Sequence, residues 1–383
     1  MKFFHLSDLH IGLKLYNHDL TEDQEYIFRE IADAARREKP DAVIIAGDIY
    51  DKAIPSAEAV ELFDRFLMML TDAAPDAAIM MISGNHDSAP RINVFRGVLR
   101  DRKIHMIGTP PQAEEDHIEK VTLRDSFGEV HFYLLPFVKP TTVKAIVGTD
   151  ENGNNLSYDE SVRRLLAREN ADAAARNVLV SHQFYLPVGA DPEKIERMES
   201  EIRTVGNIDE VRSDVLEPFD YAALGHIHKP MKVGSEYFRY CGTPLACSLS
   251  EAGQEKGIIF VEMGEKGDVR TSVLPLKPLR EVREIRGTLE NVLTEACDDY
   301  VRVVLTDKVD LDVIDMQDRI RAAFPNLLEI RREAAFAAEE REEYSAEKEL
   351  DPFELCCEFL GEIGEEEREL LKDVLNEAGG MEK

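Results

Sequence analysis

The sequence predicts an α/β protein whose active-site groups lie at the ends of parallel strands. Through the first hundred residues, short apolar runs alternate with stretches of helical periodicity, the order that builds a parallel sheet with right-handed crossovers. Several apolar runs lead directly into side chains that can bind metal. The chain has 383 residues, 44% of them apolar, which predicts a large catalytic domain and something smaller.

Five apolar runs end in a Ser or a Gly that leads directly into polar side chains able to bind metal. The groups that follow are Asp8-Leu9-His10, Asp48, Asn85-His86-Asp87, His182 and His226-Ile227-His228. A single turn of this kind is more often a plain polar connection than a metal site. Five of them favour a shared site, because α/β sheets present active sites at the carboxyl ends of their strands. Such oxygen and nitrogen donors suit divalent ions.

The remaining elements of the first part follow in order. Helical spacing covers residues 21–39 and 55–70, with a strand at 41–47 between them. Shorter strands are expected at 105–107, 118–123 and 130–135, the last two joined as a hairpin by a turn at Gly128. A helix ending near residue 175 then leads to His182. Strands at 237–241, 257–263 and 269–274 are expected to close the domain as an antiparallel meander. Two face-to-face sheets with helices outside would use all these pieces.

The chain is expected to divide into four parts. Residues 1–275 form the catalytic domain, and residues 281–335 alternate strand and helix patterns, which predicts a small α+β capping domain. Residues 336–350 have the composition of a charged linker. Residues 351–383 carry two short amphipathic helices, the first with Asp351 as its N-cap. This helical tail either packs on its own protein or docks a partner helix.

Charge and composition limit the possible functions. The formal charge is −30, and residues 341–383 hold five Lys or Arg against fifteen Asp or Glu. This acidic balance argues against tight DNA binding by the chain alone, because phosphate binding draws on a basic surface. Bound metals or a partner would supply positive charge.

No apolar stretch approaches the roughly 20 residues of a membrane span, no signal peptide is evident, and the five cysteines form no paired framework. We therefore expect a cytoplasmic protein.

The donor set suits phosphate-ester hydrolysis by a pair of metal ions. Two divalent ions roughly 4 Å apart can hold a phosphoryl group, activate water and neutralise the leaving oxygen. Such a pair needs a carboxylate that bridges both ions. Asp48 is our candidate for this bridge.

Five motifs occur here in the order in which they occur in the calcineurin-like metallophosphoesterases. They are Asp-x-His, Gly-Asp, Gly-Asn-His-Asp, a lone His and Gly-His-x-His, and the resemblance covers residues 1 to about 275. Within that superfamily the chain resembles the nuclease subunits of bacterial SbcC–SbcD complexes, in the double-strand-break repair nuclease family. This closer likeness rests on residues 1–12, 47–51, 181–184, 220–230 and 240–251. The resemblance implies a four-layer αββα sandwich.

The resemblance also implies roles for individual residues. One ion would be held by Asp8, His10, Asp48 and His228, and the other by Asp48, Asn85, His182 and His226, with Mn²⁺ as the favoured metal. His86 would stabilise the attacked phosphate or protonate the leaving oxygen, a contribution of about 10²–10⁴ in rate. Asp51 would orient His86, and Asp87 would support the ligands or cap their turn.

The activity implied by the resemblance is that of a Mn²⁺-dependent DNA nuclease in end processing, repair and recombination. It would be a 3′-to-5′ exonuclease on double-stranded DNA and an endonuclease on hairpin or single-stranded DNA. The C-terminal helices would dock an SbcC-like coiled-coil ATPase, with a homodimer inside a heterotetramer. Lys14, Lys52 and Arg91 either touch DNA phosphate or are plain surface charges. Two alternatives stay open: a metallophosphoesterase for small-molecule or protein phosphoesters, and a non-catalytic scaffold.

Overall fold

The computed structural model describes residues 1–190, 201, 209–307, 313–333, 352–360 and 364–379. The strands of the first half are β1 (Lys2–Leu6), β2 (Lys14–Leu15), β3 (His18–Asp19), β4 (Ala42–Ala46), β5 (Ala78–Ile82), β6 (Ile104–Ile107), β7 (Glu119–Asp125), β8 (Gly128–Leu135), β9 (Arg176–His182) and β10 (Phe184–Leu186). Those of the second half are β11 (Glu210–Arg212), β12 (Tyr221–Gly225), β13 (Met231–Val233), β14 (Ser235–Tyr240), β15 (Lys256–Met263), β16 (Val269–Leu276), β17 (Val282–Gly287), β18 (Tyr300–Leu305) and β19 (Leu327–Arg332). The helices are α1 (Thr21–Glu38), α2 (Ala57–Ala73), α3 (Ala89–Ile92), α4 (Arg96–Arg100), α5 (Pro140–Val147), α6 (Tyr158–Arg168), α7 (Leu289–Leu293), α8 (Val313–Ala323), α9 (Pro352–Leu360) and α10 (Glu365–Gly379).

Two six-stranded sheets form the main body. The first has the order β16-β15-β1-β4-β5-β6, with β1, β4, β5 and β6 parallel, and the second has the order β13-β14-β12-β9-β8-β7, with β14, β12, β9 and β8 parallel. An apolar layer joins them, in which the Phe3 ring makes edge contacts with Phe132 and Tyr221. Helices α1 and α2 pack on the outer face of the first sheet, and α5 and α6 on that of the second. The predicted four-layer αββα sandwich is confirmed.

Burial explains why the sequence signals of the first sheet are strong. Strands β4 and β5 are buried along their whole length, so their runs are continuously apolar, as expected for parallel strands covered on both faces. Helix α2 begins after Ser56, whose side chain accepts a hydrogen bond from the Ala59 amide and so caps the helix. The rings of Phe28 and Phe66 stack at 4.2 Å between α1 and α2. The hairpin of β7 and β8 is also present as expected.

The expected closing meander is wrong, because its strands belong to different sheets. Strand β14 pairs in parallel with β12 in the second sheet, whereas β15 and β16 form a hairpin on the β1 edge of the first. The chain therefore crosses from one sheet to the other between Tyr240 and Lys256. A local sequence pattern indicates that a strand is present, but it does not indicate which sheet the strand joins. The helix expected to end near residue 175 ends at Arg168.

A second, smaller unit follows the main body. Strands β17, β18 and β19 are all parallel, and α7 and α8 connect them, so the unit is a βαβαβ arrangement where the sequence suggested α+β. It has its own apolar core, which includes Val303 and Phe324. The buried Asp23 carboxylate of α1 joins it to the main body, accepting hydrogen bonds from Arg280 at 2.9 Å and Tyr300 at 2.8 Å. The second unit is thus held against the first helix of the main body.

The described part of the tail consists of α9 and α10, which contact each other. The Lys372 ammonium lies 5.1 Å from the centre of the Phe353 ring. Phe359 is 91% exposed, and Leu370 and Val374 are also exposed. The expected N-cap Asp351 and the charged linker 336–350 lie outside the described residues. Among the residues described, no helix is long and apolar enough to cross a membrane.

Candidate metal centre

The polar groups at the strand ends meet in one place. Asp8, Asp48 and Asn85 follow β1, β4 and β5 of the first sheet, whereas His182 ends β9 and His226 follows β12 of the second. Because each sheet presents the carboxyl ends of its parallel strands along one edge, packing the two sheets face to face brings both sets of side chains together. Seven predicted ligands form this cluster: Asp8, His10, Asp48, Asn85, His182, His226 and His228.

One side of the cluster contains Asp8, His10 and His228. Their ligand atoms lie within 4.8 Å of one another, and Nε2 of His10 is 3.1 Å from Nε2 of His228. The Oδ2 atom of Asp48 is 3.8 Å from Nε2 of His10. Two imidazoles and two carboxylates thus face one small volume.

The other side of the cluster contains Asn85, His182 and His226. The Asn85 Oδ1 atom lies 2.9 Å from Nε2 of His182 and 2.9 Å from Nδ1 of His226. The Oδ2 atom of Asp48 is 3.3 Å from Nε2 of His182. Asp48 therefore lies between the two groups of donors.

Four of the clustered residues have left-handed backbone conformations that side-chain-bearing residues rarely adopt. The φ angles are 53° at Asp8, 43° at His10, 49° at Asp48 and 105° at His226. Hydrogen bonds to the carboxylates hold these turns, since the His226 amide donates to Asp8 at 3.1 Å and the His86 amide to Asp48 at 2.9 Å. Such strain concentrates at functional sites, where the surrounding structure compensates for its cost.

Two glycines let the ligand turns approach one another. At Gly47 φ is +93°, and a Cβ there would overlap the His182 ring. A Cβ at Gly84 would overlap the Asp48 carboxylate. A larger residue at Gly47 would displace the His182 ring, and one at Gly84 would displace the Asp48 carboxylate.

The electrostatics of the cluster suit a bound cation. Asp8 and Asp48 are both buried, and burial raises the pKa of Asp8 to about 6. Burial opposes ionisation of Asp48 as well, but His182 and the other histidines around it outweigh burial and hold its pKa well below the usual range. Burial disfavours a charged His182, yet the Asp48 carboxylate raises the His182 pKa to about 9. Buried carboxylates among imidazoles are a donor set that fits divalent metal ions.

Hydrogen bonds on the outer ring atoms fix how two of the histidines face the cluster. Nδ1 of His182 donates to the Ala46 carbonyl at 2.7 Å, and Nδ1 of His86 donates to the Asp51 carbonyl at 2.9 Å. The Nε2 atom of each ring therefore points inward with a free lone pair in the neutral form. The His86 Nε2 atom is 4.0 Å from Asp48 Oδ2, farther than the corresponding atom of His182.

Asp51 supports His86 in a different way from the one the resemblance implies. The support comes from its main-chain carbonyl, while its carboxylate Oδ1 lies 3.9 Å from Nδ1 of His10. Every residue type has a main-chain carbonyl, so the identity of residue 51 could not predict this contact.

Two further residues tie the ligand turns together. The Asp87 carboxylate accepts hydrogen bonds from the amides of Ile49, Tyr50 and Gly84, which joins the Asp48 turn to the Asn85 turn. Gln24 of α1 was not predicted to take part, yet its amide donates to the His10 carbonyl at 2.8 Å. A glutamine beside Asp23 among the apolar residues of the buried face of α1 was the available signal. The candidate DNA contacts Lys14, Lys52 and Arg91 are exposed side chains.

Comparison with known proteins identifies the family. Residues 1–230 match the profile of the calcineurin-like phosphoesterases, so the chain belongs to that family. Residues 277–362 match a profile described as the type 5 capsule protein repressor C-terminal domain.

Individual proteins are also similar to this chain. It is 29% identical over 335 residues to the SbcD subunit of nuclease SbcCD from Staphylococcus epidermidis, covering 86% of this chain and 84% of that protein. The resemblance to SbcD-type nuclease subunits is thereby confirmed. Among solved structures, TT1561 of Thermus thermophilus aligns over 71% of this chain and 98% of its own, with 13% identity and a TM-score of 0.39. A dimetal phosphatase from Danio rerio aligns over 72% and 98%, with 13% identity and a TM-score of 0.39.

Proposed function

We propose that this chain is the nuclease subunit of a DNA end-processing complex and hydrolyses phosphodiesters with a pair of Mn²⁺ ions. The observation that carries the proposal is the position of Asp48, whose Oδ2 atom lies 3.3 Å from His182 on one side and 3.8 Å from His10 on the other. A carboxylate between two groups of metal-binding side chains is what a two-metal centre requires.

The two groups of donors would each hold one ion. Asp8, His10 and His228 would bind the first, Asn85, His182 and His226 the second, and Asp48 would bind both. When bound, such ions supply Lewis-acid activation of water and neutralise charge on the phosphate and the leaving oxygen. The proposal of Mn²⁺ rests on the mixed oxygen and nitrogen donors and on the family resemblance.

His86 would contact the scissile phosphate. Its Nδ1–H bond to the Asp51 carbonyl leaves Nε2 as the atom that faces the substrate side of the cluster. In its protonated form, with a proton on both nitrogens, a ring in this position can donate a hydrogen bond from Nε2 to a phosphate oxygen or a proton to the leaving sugar oxygen. The His86 amide also donates a hydrogen bond to Asp48 Oδ1 at 2.9 Å. The main chain of His86 would therefore position Asp48, while its side chain would contact the substrate.

DNA as the substrate is proposed from the relative and from the second unit. The Staphylococcus epidermidis relative is named as a nuclease subunit, and the match extends past the first domain. Residues 281–335 would guide DNA over the metals, with 3′-to-5′ exonuclease action on duplex ends and endonuclease action on hairpins and single strands. With a formal charge of −30, the chain would borrow basic surface from a partner.

The partner would be an SbcC-like coiled-coil ATPase that docks on residues 351–383. The exposed apolar side chains of Phe359, Leu370 and Val374 supply the kind of helix face that such docking buries. A homodimer inside a heterotetramer is proposed as the assembly, and Phe95 and Val98 are exposed apolar residues available for contacts between copies. The complex would act in the cytoplasm.

Substrate preference tests this proposal. The purified chain with Mn²⁺, alone and together with the ATPase partner, is assayed on duplex, hairpin and single-stranded DNA and on a small aryl phosphodiester, with Asp48→Asn as the inactive control. Cleavage that favours DNA and is abolished in the control is the expected result. Preference for the aryl ester would favour a small-molecule phosphoesterase, and binding of two Mn²⁺ without cleavage of any ester would favour a scaffold.

A further inference from the structure

A buried polar network connects His228 to the segment that crosses between the two sheets. This segment runs from β14 to β15 and contains Thr243 and Glu251, while Lys256 opens β15. The Glu251 side chain is among the most enclosed charged groups of the chain, at 1% exposure. Its Oε1 atom lies 3.6 Å from Nδ1 of His228, on the opposite side of the ring from the metal cluster.

Both carboxylate oxygens of Glu251 are held in place. Oε2 accepts hydrogen bonds from the Lys256 ammonium at 2.6 Å and the Thr243 hydroxyl at 2.8 Å. Oε1 accepts from the Cys247 amide at 3.2 Å and the Ser248 hydroxyl at 3.1 Å. Four donors from four positions leave the carboxylate little freedom to turn. Oε1 is therefore presented to His228 as a fixed acceptor.

Lys256 determines what this cluster can do. His228, Cys247 and Glu251 are close enough together to hold an ion of their own. The Lys256 ammonium contacts Glu251 Oε2 and also bonds to the Thr243 hydroxyl at 2.8 Å, so the cation that the buried carboxylate needs is already supplied by the chain. The network is thus a support for His228 and not a third metal site.

We infer that Glu251 is a positioning residue for the ion bound by Asp8, His10 and His228. A carboxylate beside Nδ1 keeps the proton on that nitrogen, which leaves the Nε2 lone pair for the metal and raises its basicity. His182, on the other side of the cluster, donates to a neutral main-chain carbonyl, at Ala46. The two histidines would therefore be supported unequally, with a carboxylate beside His228 and a neutral carbonyl beside His182. This inference rests on the proposed two-metal function.

Calorimetric titration of Mn²⁺ into the whole chain tests the inference. Glu251→Gln keeps the shape of the side chain and removes its charge. The affinity for one ion should fall about 10–100-fold, the usual effect of removing a carboxylate that supports a metal-binding histidine. The affinity for the other ion should stay within about threefold of wild type, because the contact described between Glu251 and the cluster is the one to His228. Equal loss at both sites, or no loss at either, would overturn the inference.

Two variants separate positioning from folding. Glu251→Gln with Lys256→Met removes the buried charge pair together, so thermal stability should recover relative to Glu251→Gln while the weakened Mn²⁺ site stays weak. Recovery of metal affinity in the double variant would mean that Glu251 acts only on stability. Asp220→Asn is the matched control, since this carboxylate also holds a lysine at 2.8 Å and an amide at 2.8 Å but lies at the opposite end of β12. It should lower stability and leave both affinities unchanged.

Failure of the inference can be told from failure of the proposed function. A wild-type chain that binds no pair of Mn²⁺ ions would remove the two-metal function itself. Wild-type binding of two ions together with unchanged binding in Glu251→Gln would remove only the role of Glu251.

Discussion

Replacing His86 by alanine separates catalysis from metal binding. In the structure, Nδ1 of His86 bonds to the Asp51 carbonyl and Nε2 faces the cluster at 4.0 Å from Asp48 Oδ2, whereas the corresponding distance for His182 is 3.3 Å. His10, a predicted ligand, is 3.8 Å from the same oxygen, so the assignment of His86 as a catalytic group and not a ligand rests on the family resemblance. His86→Ala should keep both Mn²⁺ ions and lose cleavage.

The size of each effect follows from these contacts. Loss of a proton donor or phosphate contact should lower kcat by about 10²–10⁴, which corresponds to about 3–5 kcal/mol of transition-state stabilisation. The amide of residue 86 remains and still bonds to Asp48, so the ligand turn is preserved. The Asp51 carbonyl loses one donor at a partly exposed position, which should cost about 1 kcal/mol of folding stability or less.

The assay combines Mn²⁺ titration by calorimetry with single-turnover cleavage of labelled hairpin DNA at saturating metal. His117→Ala is the control, because the His117 side chain is 61% exposed and its Nδ1 atom lies 3.4 Å from Glu169, which is not a predicted ligand. This control should match wild type in both measurements. Loss of one Mn²⁺ in His86→Ala would show that His86 is itself a ligand, and cleavage within about tenfold of wild type would show that it has no catalytic role.

Three other changes test the remaining parts of the proposal. Asp48→Ala should weaken both Mn²⁺ sites together in a calorimetric titration, and retention of one ion at full affinity would remove its bridging role. Asp51→Ala keeps the main-chain carbonyl that holds His86, so DNA cleavage should stay within about tenfold of wild type; a loss as large as that of His86→Ala would contradict the main-chain support. Deleting residues 351–383 should abolish capture of the ATPase partner in a size-exclusion assay while metal content is unchanged, and an intact complex would show that the tail packs on its own chain.

The fold and the clustering of the candidate ligands could be predicted because both depend on the ends of buried strands. Strands β4 and β5 carry continuous apolar runs, and the residue after each run is forced to the carboxyl edge of the sheet. Asp48 and Asn85 could therefore be placed together without knowledge of any contact. The two sheets and their outer helices were predictable for the same reason.

The parts that could not be predicted depend on pairing across long separations. The sequence pattern of β14 indicates a short strand but not the strand with which it pairs. In the structure β14 pairs with β12 of the second sheet and not with β15, the next long strand in the sequence. The second unit was expected as α+β, and all three of its strands are parallel. The partner of β14 is set by tertiary packing, whereas the parallel strands of the second unit agree with its alternating strand and helix patterns, the order that builds a parallel sheet.

Supporting residues around the ligands were also hidden from the sequence. Glu251 is separated from His228 in the sequence. It approaches His228 only because the segment between β14 and β15 folds back against the turn that carries His228. Gln24 reaches the His10 carbonyl from a helix that otherwise has a plain amphipathic pattern. Residue type alone assigns neither of them a partner. Their roles follow from contacts that exist only in the folded chain.

Anomalous diffraction from crystals grown with saturating Mn²⁺ tests the central claim most directly. We predict two anomalous peaks among Asp8, His10, Asp48, Asn85, His182, His226 and His228, with Asp48 contacting both ions. A single peak, or two peaks with Asp48 bound to only one of them, would contradict the bridging arrangement. An absence of peaks at these side chains would contradict the two-metal nuclease itself.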